Sequence, residues 1–445
     1  MTETKAVPAN GTKYDTYAKQ QTKLSEFDLR DYVIEYLTGD RQLAYSGGTF
    51  RMYEHGIWSA VDELEVEHAV GEQMELAATV GVLKPTYAMQ RNVTNAIKSK
   101  VYERETAWNR NTNILVFRNV TLDTSAGKVM EHDPKHMATV ALPYDYDRDA
   151  TADAWKKVLQ DVLSTEERKF FQEFAGYCLT TGVQHQMALW LYGPPGSAKS
   201  TLIAGLEAML GDLAGALSLT QLQSRFGLAG SIGKTLLTCT EIPKQHMKTT
   251  DVLNAIITGD TVEVEQKYKD AVTYRNTAKL VWAMNSLPPL YDIKNGVFRR
   301  AKVLELESIP VEDRDPRIIE DVRREGAGII NWALDGLARL NERDAFEYPE
   351  SVLKASERYR EDNDIYAQFA DEHLDITGEH SDKEKASKLT TAFNAWADKH
   401  DYAHRSSGAL KPEWERLGMV RGNKTGKGYF YHGGKLRGGE PFPNE

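Results

Sequence analysis

The sequence has only two cysteines among its 445 residues, and Cys178 and Cys239 lie far apart in the chain. This excludes a disulfide framework or a cysteine-based zinc site and fits the reducing cytosol. No apolar run approaches the ~18 residues that a membrane-spanning helix needs. Residues 1–24 are polar and lack the apolar segment of a secretory signal. We therefore expect a flexible tail over residues 1–24 and a cytoplasmic location.

The chain also lacks internal repeats, low-complexity tracts and an excess of positive charge. Its formal net charge is −10, which argues against a protein that coats nucleic acid over its whole surface but allows local basic sites. Hydrophobic residues make up 41% and charged residues 27%, as in ordinary globular proteins. The length is sufficient for several domains.

Short apolar runs alternate with helical stretches between residues 186 and 310. The runs occupy residues 187–192, 235–240, 279–284 and 301–306. Unbroken apolar strands that alternate with helices predict an α/β core with a mostly parallel sheet, covered on both faces.

A strand, a Gly- and Pro-rich turn and a helix follow one another at residues 189–201. Backbone N–H groups in such a turn form a nest for phosphates together with the helix N-terminus. A lysine and a hydroxyl then contact the phosphates and Mg²⁺. Ala198 occupies a position where the motif has glycine, and we expect alanine to fit if its φ is negative. The predicted ATP-binding residues are Gly193, Pro194, Pro195, Gly196, Ser197, Ala198, Lys199, Ser200 and Thr201.

Further candidates for ATP hydrolysis follow in order along the chain. Glu241 ends an apolar run and could orient water and hold Mg²⁺ together with Ser200. Asn285 ends a later run and could sense the γ-phosphate. Arg299 and Arg300 could stabilise the transition state in a neighbouring subunit. Glu241 and the arginine pair could instead be ordinary solvated residues.

A predicted β-hairpin at residues 259–274 carries Lys267, Tyr268 and Lys269 at its tip. Ammonium groups beside an aromatic ring suit a single nucleic-acid strand, because lysine meets phosphates and tyrosine stacks on a base. The alternative is a solvated, lysine-tipped hairpin.

The last segment combines two predicted helices, at residues 389–399 and 411–417, with a Gly-rich hairpin at 419–432. This order is typical of a winged helix. Residues 404–437 contain eight Lys or Arg and two Glu, so the hairpin with Lys424 and Lys427 could lie along DNA phosphates. The alternative is a domain-packing module with a solvated basic face.

The order of these motifs resembles the superfamily 3 helicases, and most closely the helicase portion of phage and plasmid primases related to the poxvirus nucleoside triphosphatase. Residues 170–179 resemble the helical segment before the motor, and residues 115–123 resemble an upstream strand pair. The resemblance covers residues 113–306. It implies an AAA+ P-loop core that binds ATP and Mg²⁺ in a hexamer that moves 3′ to 5′ on DNA.

By this resemblance, Glu241 is the Walker B acid, Asn285 the sensor, Arg299 or Arg300 the finger acting in trans, and Lys269 the hairpin residue that grips DNA. Many relatives have two acids at the Walker B position, whereas Thr240 precedes the single acid here. No primase domain is expected upstream, so a separate primase is a candidate partner.

We therefore expect a DNA helicase that acts on single-stranded and forked DNA. It would take part in the replication of a phage, plasmid or other mobile element in a bacterial host. Two alternatives remain open: an AAA+ origin-binding initiator that uses ATP for assembly, and another AAA+ remodelling ATPase. The predicted domains are a tail (1–24), an α+β domain (25–149), a helical oligomerisation segment (150–185), the ATPase core (186–310), a helical extension (311–376) and a winged helix (377–445).

Overall fold

The computed structural model describes residues 13–222, 224, 227–240, 250–266, 269–290, 296–400, 402–426 and 428–438. The protein is an α/β structure built around a five-stranded parallel sheet. None of the helices in these ranges combines the length and apolar character needed to cross a bilayer.

The N-terminal elements enclose a hydrophobic cluster of their own. Tyr14 is fully buried in it, and its hydroxyl donates a hydrogen bond to Gln73 Oε1 at 2.7 Å. The tail expected over residues 1–24 is therefore wrong for residues 13–24, because Tyr14 and Leu24 are apolar anchors that pack into this cluster. The elements are α1 (Asp15–Lys19), α2 (Glu26–Thr38), β1 (Leu43–Ser46), β2 (Thr49–Glu54), β3 (Ile57–Val61), α3 (Glu63–Thr79) and α4 (Tyr87–Lys100).

A small antiparallel sheet and two helices connect this cluster to the central sheet. Leu115 and Leu122 of the small sheet, and Phe117 directly after its first strand, pack into the central core, although the predicted N-terminal domain (25–149) includes them. Ser164 and Glu167 form a capping box at the start of α6. The elements are β4 (Ile114–Val116), β5 (Thr121–Asp123), β6 (Lys128–Met130), α5 (Asp153–Val162) and α6 (Thr165–Leu179).

The central sheet has the strand order β13-β7-β12-β9-β8, and all neighbouring strands are parallel. Four of these strands were predicted as apolar runs. The short edge strand β8 was missed, because Ala-Gly-Ala carries no apolar signal. The elements are β7 (Ala188–Tyr192), α7 (Lys199–Leu210), β8 (Ala214–Ala216), α8 (Leu219–Leu222), β9 (Leu236–Cys239), α9 (Asp251–Thr258), β10 (Thr261–Gln266), β11 (Lys269–Arg275), β12 (Lys279–Met284), α10 (Gly296–Arg300) and β13 (Ala301–Glu305).

Both faces of the sheet are covered, as the unbroken apolar strands predict. Leu189 and Leu191 of β7 pack into one hydrophobic cluster with α5, α6 and α7. Ala188 and Trp190 of the same strand pack into a second cluster on the opposite face.

Three helices follow the sheet: α11 (Ile318–Arg324), α12 (Gly326–Arg343) and α13 (Glu350–Asp362). Helix α12 crosses α6 so closely that a Cβ at Gly176 would lie 2.5 Å from the carbonyl oxygen of Ala333. The buried Glu173 carboxylate of α6 lies 2.6 Å from Arg343 and 3.4 Å from Arg339. The aromatic stripe of α6 (Phe170, Phe171 and Phe174) is buried in the core.

The C-terminal elements share a fourth hydrophobic cluster, in which Phe369, Phe393, Trp396 and Trp414 contact one another. The two predicted helices and the hairpin are present, and an additional strand joins the hairpin in the order β15-β17-β16. The elements are α14 (Ile365–His373), β14 (Leu374–Ile376), β15 (Lys383–Lys385), α15 (Ala386–Lys399), α16 (Ser407–Arg416), β16 (Val420–Arg421), β17 (Phe430–His432) and β18 (Gly434–Leu436).

Candidate functional site

The loop at residues 193–198 joins the carboxyl end of β7 to the first turn of α7. Gly193 N donates to the carbonyl oxygen of Met284 in β12 at 3.3 Å. A Cβ at Gly193 would lie only 2.2 Å from the carbonyl oxygen of Leu306, which follows β13. Only glycine fits there, because backbone from two neighbouring strands closes against the loop.

Two residues of this loop have left-handed backbone conformations. Gly196 has φ +81°, which glycine adopts without strain. Ala198 has φ +58° and ψ +12° immediately before α7. The expectation of a negative φ at Ala198 is therefore wrong. The tight strand-to-helix connection requires the left-handed conformation whichever residue occupies the position, and alanine adopts it at a cost of ~1–2 kcal/mol.

Lys199 is 8% exposed, and its ammonium lies inside the loop. Its Nζ donates to the carbonyl oxygens of Gly193 at 2.7 Å and Pro194 at 2.8 Å, and to Ser197 Oγ at 3.0 Å. These three bonds use every N–H of the ammonium. Burial lowers the pKa of Lys199 below its usual value. A phosphate that binds Lys199 must therefore exchange with the loop's own oxygens.

The parallel sheet brings Asn285 to the same edge as the loop. Met284, the last residue of β12, pairs with Tyr192, the last residue of β7, so exposed Asn285 follows directly beside Gly193. Cys239, the last residue of β9, pairs with Trp282, two residues short of that edge. The predicted acid Glu241 lies outside the described residues. Ser200 is exposed in the first turn of α7, and Thr201 is buried.

Arg299 and Arg300 lie at the opposite edge, because they precede Ala301, which pairs with Ala188 at the start of β7. The two edges are the two ends of β7, from Ala188 to Tyr192, and four steps along the strand separate them by about 13 Å. Arg300 donates to Asn254 Oδ1 at 3.4 Å and Gln186 Oε1 at 3.5 Å. Arg299 is exposed, and within the described ranges its guanidinium has no hydrogen-bond or ion-pair partner. Neither arginine reaches the 193–198 loop of its own chain.

The hairpin of β10 and β11 is present, and Gln266 and Lys269 form its last paired residues before the tip. Lys267 and Tyr268 form the tip between these residues but lie outside the described part of the chain. The base of the hairpin is fixed, because Val264 is buried and Tyr274 OH donates to the carbonyl oxygen of Ser231 at 2.9 Å.

The C-terminal hairpin turns at Thr425 and Gly428, whose backbones exchange two hydrogen bonds of 3.0 Å. Lys424 is exposed beside this turn. Arg421 lies 3.7 Å from the ring centroid of Tyr429. Lys427 lies outside the described residues.

Sequence reasoning missed one cation at the 193–198 loop, Arg314. A Cβ at Gly196 would lie 2.4 Å from Arg314 Nη2. Arg314 stands in an acidic stretch after β13, separated from the loop by more than a hundred residues. No motif marks it, and only the fold brings it to the loop.

Comparison with known families gives two matches that together span most of the chain up to β13. Residues 29–164 match the family described as "D5 N terminal like", and residues 191–300 match a family of unknown function, DUF5906. The chain has the domain architecture of D5-like primase-helicase proteins of phages and plasmids. The second match contains the 193–198 loop, Asn285 and both arginines.

Two solved structures of the C-terminal region of NrS-1 have a similar fold. One, titled as the A form apo structure, shares 11% identity with a TM-score of 0.51, covering 87% of this chain and 85% of that chain. The other apo structure shares 11% identity with a TM-score of 0.50, covering 88% and 87%. At this identity the similarity concerns the fold alone.

Proposed function

We propose that this protein is an ATP-dependent DNA helicase that forms a ring and acts in the replication of a phage, plasmid or other mobile element. The observation that carries the proposal is the loop between β7 and α7, with Lys199 inside it and Asn285 beside it at the same sheet edge. The D5-like domain architecture supports a role in replication.

The strand order β13-β7-β12-β9-β8 supports an AAA+ core. The loop follows β7 near the middle of the sheet, and the candidate sensor follows the neighbouring strand. The helix pair α15 and α16, followed by the hairpin of β16 and β17, supports a winged helix. Lys424 and Lys427 are its proposed DNA contacts.

The loop suits a phosphate chain for two reasons. The backbone of Leu306 lies too close to Gly193 for any side chain there, and Gly196 has the positive φ of a tight turn. We assign phosphate binding to residues 193–201. Ser200 would hold Mg²⁺ together with Glu241, and the ion would neutralise charge that develops on the phosphates. Asn285 would contact the γ-phosphate.

The trans arginine is best assigned to Arg299. Its guanidinium is exposed at the edge opposite the loop, whereas Arg300 contacts Asn254 and Gln186 of its own chain. Because Arg299 and Arg300 lie about 13 Å of strand from the loop of their own chain, either of them could act only at the loop of a neighbouring subunit. This supports a ring, for which we propose six subunits.

ATP hydrolysis with and without single-stranded DNA tests the proposal. We expect DNA-stimulated turnover that Lys199→Ala abolishes; undiminished turnover in this variant would refute the motor. Hydrolysis that DNA does not stimulate would favour an ATPase that remodels proteins, and binding of ATP without turnover would favour an origin-binding initiator. Forked substrates with one tail of each polarity test 3′-to-5′ movement.

The hairpin assignment has a separate test. Lys269→Ala should remove DNA stimulation and unwinding and leave basal hydrolysis unchanged, with exposed Lys128→Ala in β6 as the matched control. Binding should also weaken steeply with salt, because lysines displace counterions from phosphates. Unwinding that survives in Lys269→Ala would contradict the role of the hairpin.

A further inference from the structure

The segment that follows β13 runs along the 193–198 loop, and we call residues 306–314 the strap. Leu306 N donates to the carbonyl oxygen of Tyr192 at 2.7 Å, and Ile309 N donates to that of Gly196 at 3.0 Å. The strap thus continues the pairing of β13 with β7 beyond the edge of the sheet. The loop and the strap are joined through their backbones at two points.

The last residue of the strap, Arg314, turns its side chain back over the loop. Its Nε donates to the carbonyl oxygen of Ile309 at 2.9 Å, which fixes the plane of the guanidinium. The flat face of the guanidinium then lies over Gly196, because a Cβ there would lie 2.4 Å from Nη2, 2.5 Å from Cζ and 2.9 Å from Nη1. A side chain at Gly196 would displace the guanidinium.

The terminal nitrogens of Arg314 have no hydrogen-bond or ion-pair partner in the part of the chain that the structure describes. The acidic neighbours do not neutralise them: Asp315 Oδ1 accepts from the backbone N of Arg317 at 2.9 Å instead. Lys199, by contrast, has all three N–H groups bonded to the loop. Arg314 is therefore the cation at the loop whose donors are oriented and available.

A guanidinium held in one plane suits a polyphosphate, because its parallel N–H groups bind two oxygens of a phosphate at once. We propose that Arg314 donates hydrogen bonds to the phosphate chain of the nucleotide bound by the 193–198 loop of the same chain. The inference rests on the proposed function, because it requires that this loop binds a nucleotide. Arg314 would add a cis cation from the strap to the charge of Lys199.

Nucleotide titrations of the full-length protein test the inference. We expect Arg314→Gln to weaken ATP and ADP binding about 10- to 100-fold, the usual loss for a hydrogen bond to a charged group. The affinity for adenosine, which has no phosphates, should be unchanged when it is calculated from displacement of a fluorescent ADP with the weaker binding of the probe taken into account. Arg314→Lys should retain part of the affinity, because it keeps the charge without the planar fork. Exposed Arg317→Gln is the matched control.

Three outcomes would overturn the inference. Arg314→Gln could bind ATP as the wild type does, or it could lose adenosine in the same proportion, which would mean that Arg314 only shapes the loop. A Lys199→Ala variant that keeps full ATP affinity would refute nucleotide binding at this loop and the proposed function with it. If binding requires Lys199 but not Arg314, the inference about Arg314 alone falls.

Discussion

Replacing Ala198 with glycine should leave the protein about as stable or slightly more stable, although glycine in the interior of a helix usually destabilises. Ala198 has φ +58° and ψ +12°, a left-handed conformation that costs an L-residue ~1–2 kcal/mol. Glycine removes this cost. Two losses of stability oppose this gain. The greater freedom of glycine in the unfolded chain costs ~0.5–1 kcal/mol, and the loss of a half-buried methyl group costs about 0.4 kcal/mol. The balance lies between about −0.4 and +1.1 kcal/mol in favour of Ala198→Gly, centred on about +0.4 kcal/mol.

The matched control is Ala204→Gly, in the interior of the same helix. Ala204 is 3% exposed, so glycine there loses about 1 kcal/mol of helix propensity and ~0.8 kcal/mol of methyl burial. The two substitutions remove the same atoms, and their predicted effects differ by about 2 kcal/mol. The difference arises because only Ala198 is left-handed.

Thermal unfolding followed by calorimetry measures both variants. About 1 kcal/mol shifts the midpoint by roughly 2–4 °C in a domain of 150–250 residues. We expect Ala198→Gly to raise the midpoint by up to a few degrees and Ala204→Gly to lower it by several. A comparable fall in both variants would refute the reasoning, because it would mean that Ala198 is not strained.

Three further predictions concern other parts of the molecule. Gly176→Ala should lower the thermal midpoint, because its Cβ would lie 2.5 Å from the backbone of α12. Gly71→Ala in α3 is the control: the nearest atom would lie at 3.6 Å, and the higher helix propensity of alanine should raise the midpoint slightly. Burial lowers the pKa of Lys279 from 10.5 to about 7. Between about pH 7 and 10.5 the unfolded chain then binds more protons than the folded protein, so the free energy of unfolding should rise with pH in this range. Denaturant melts should show a smaller rise with pH in Lys279→Met. Mixing Arg299→Ala with Lys199→Ala subunits should restore part of the ATP hydrolysis, and no restoration at any mixing ratio would contradict a finger in trans.

The central sheet illustrates what an apolar pattern can predict. The runs at β7, β9, β12 and β13 were readable because strands buried on both faces must be apolar along their whole length. The edge strand β8 was missed because it is short and its only side chains are two methyl groups. The aromatic stripe of α6 and its capping box are local features, since both depend on residues within one or two helical turns.

Features that depend on distant segments were not readable. The sequence around Tyr14 is polar, but in the structure its hydroxyl donates a hydrogen bond to Gln73 in α3. The sequence around Arg314 is acidic, but in the structure the strap places its guanidinium over Gly196. In each case a local pattern gives the wrong impression, because the partner comes from elsewhere in the chain.

The sequence by itself determined the order of the candidate residues along this chain: a Gly- and Pro-rich turn, a lysine, an acid, a polar strand end and an arginine pair. It could do so because each motif needs particular residue types at short spacing. Only the tertiary structure decided the φ of Ala198, the partners of the Lys199 ammonium, the opposite edges for the loop and the arginines, and the approach of Arg314. Strand order, register and loop closure set these positions, and each depends on contacts between residues far apart in sequence.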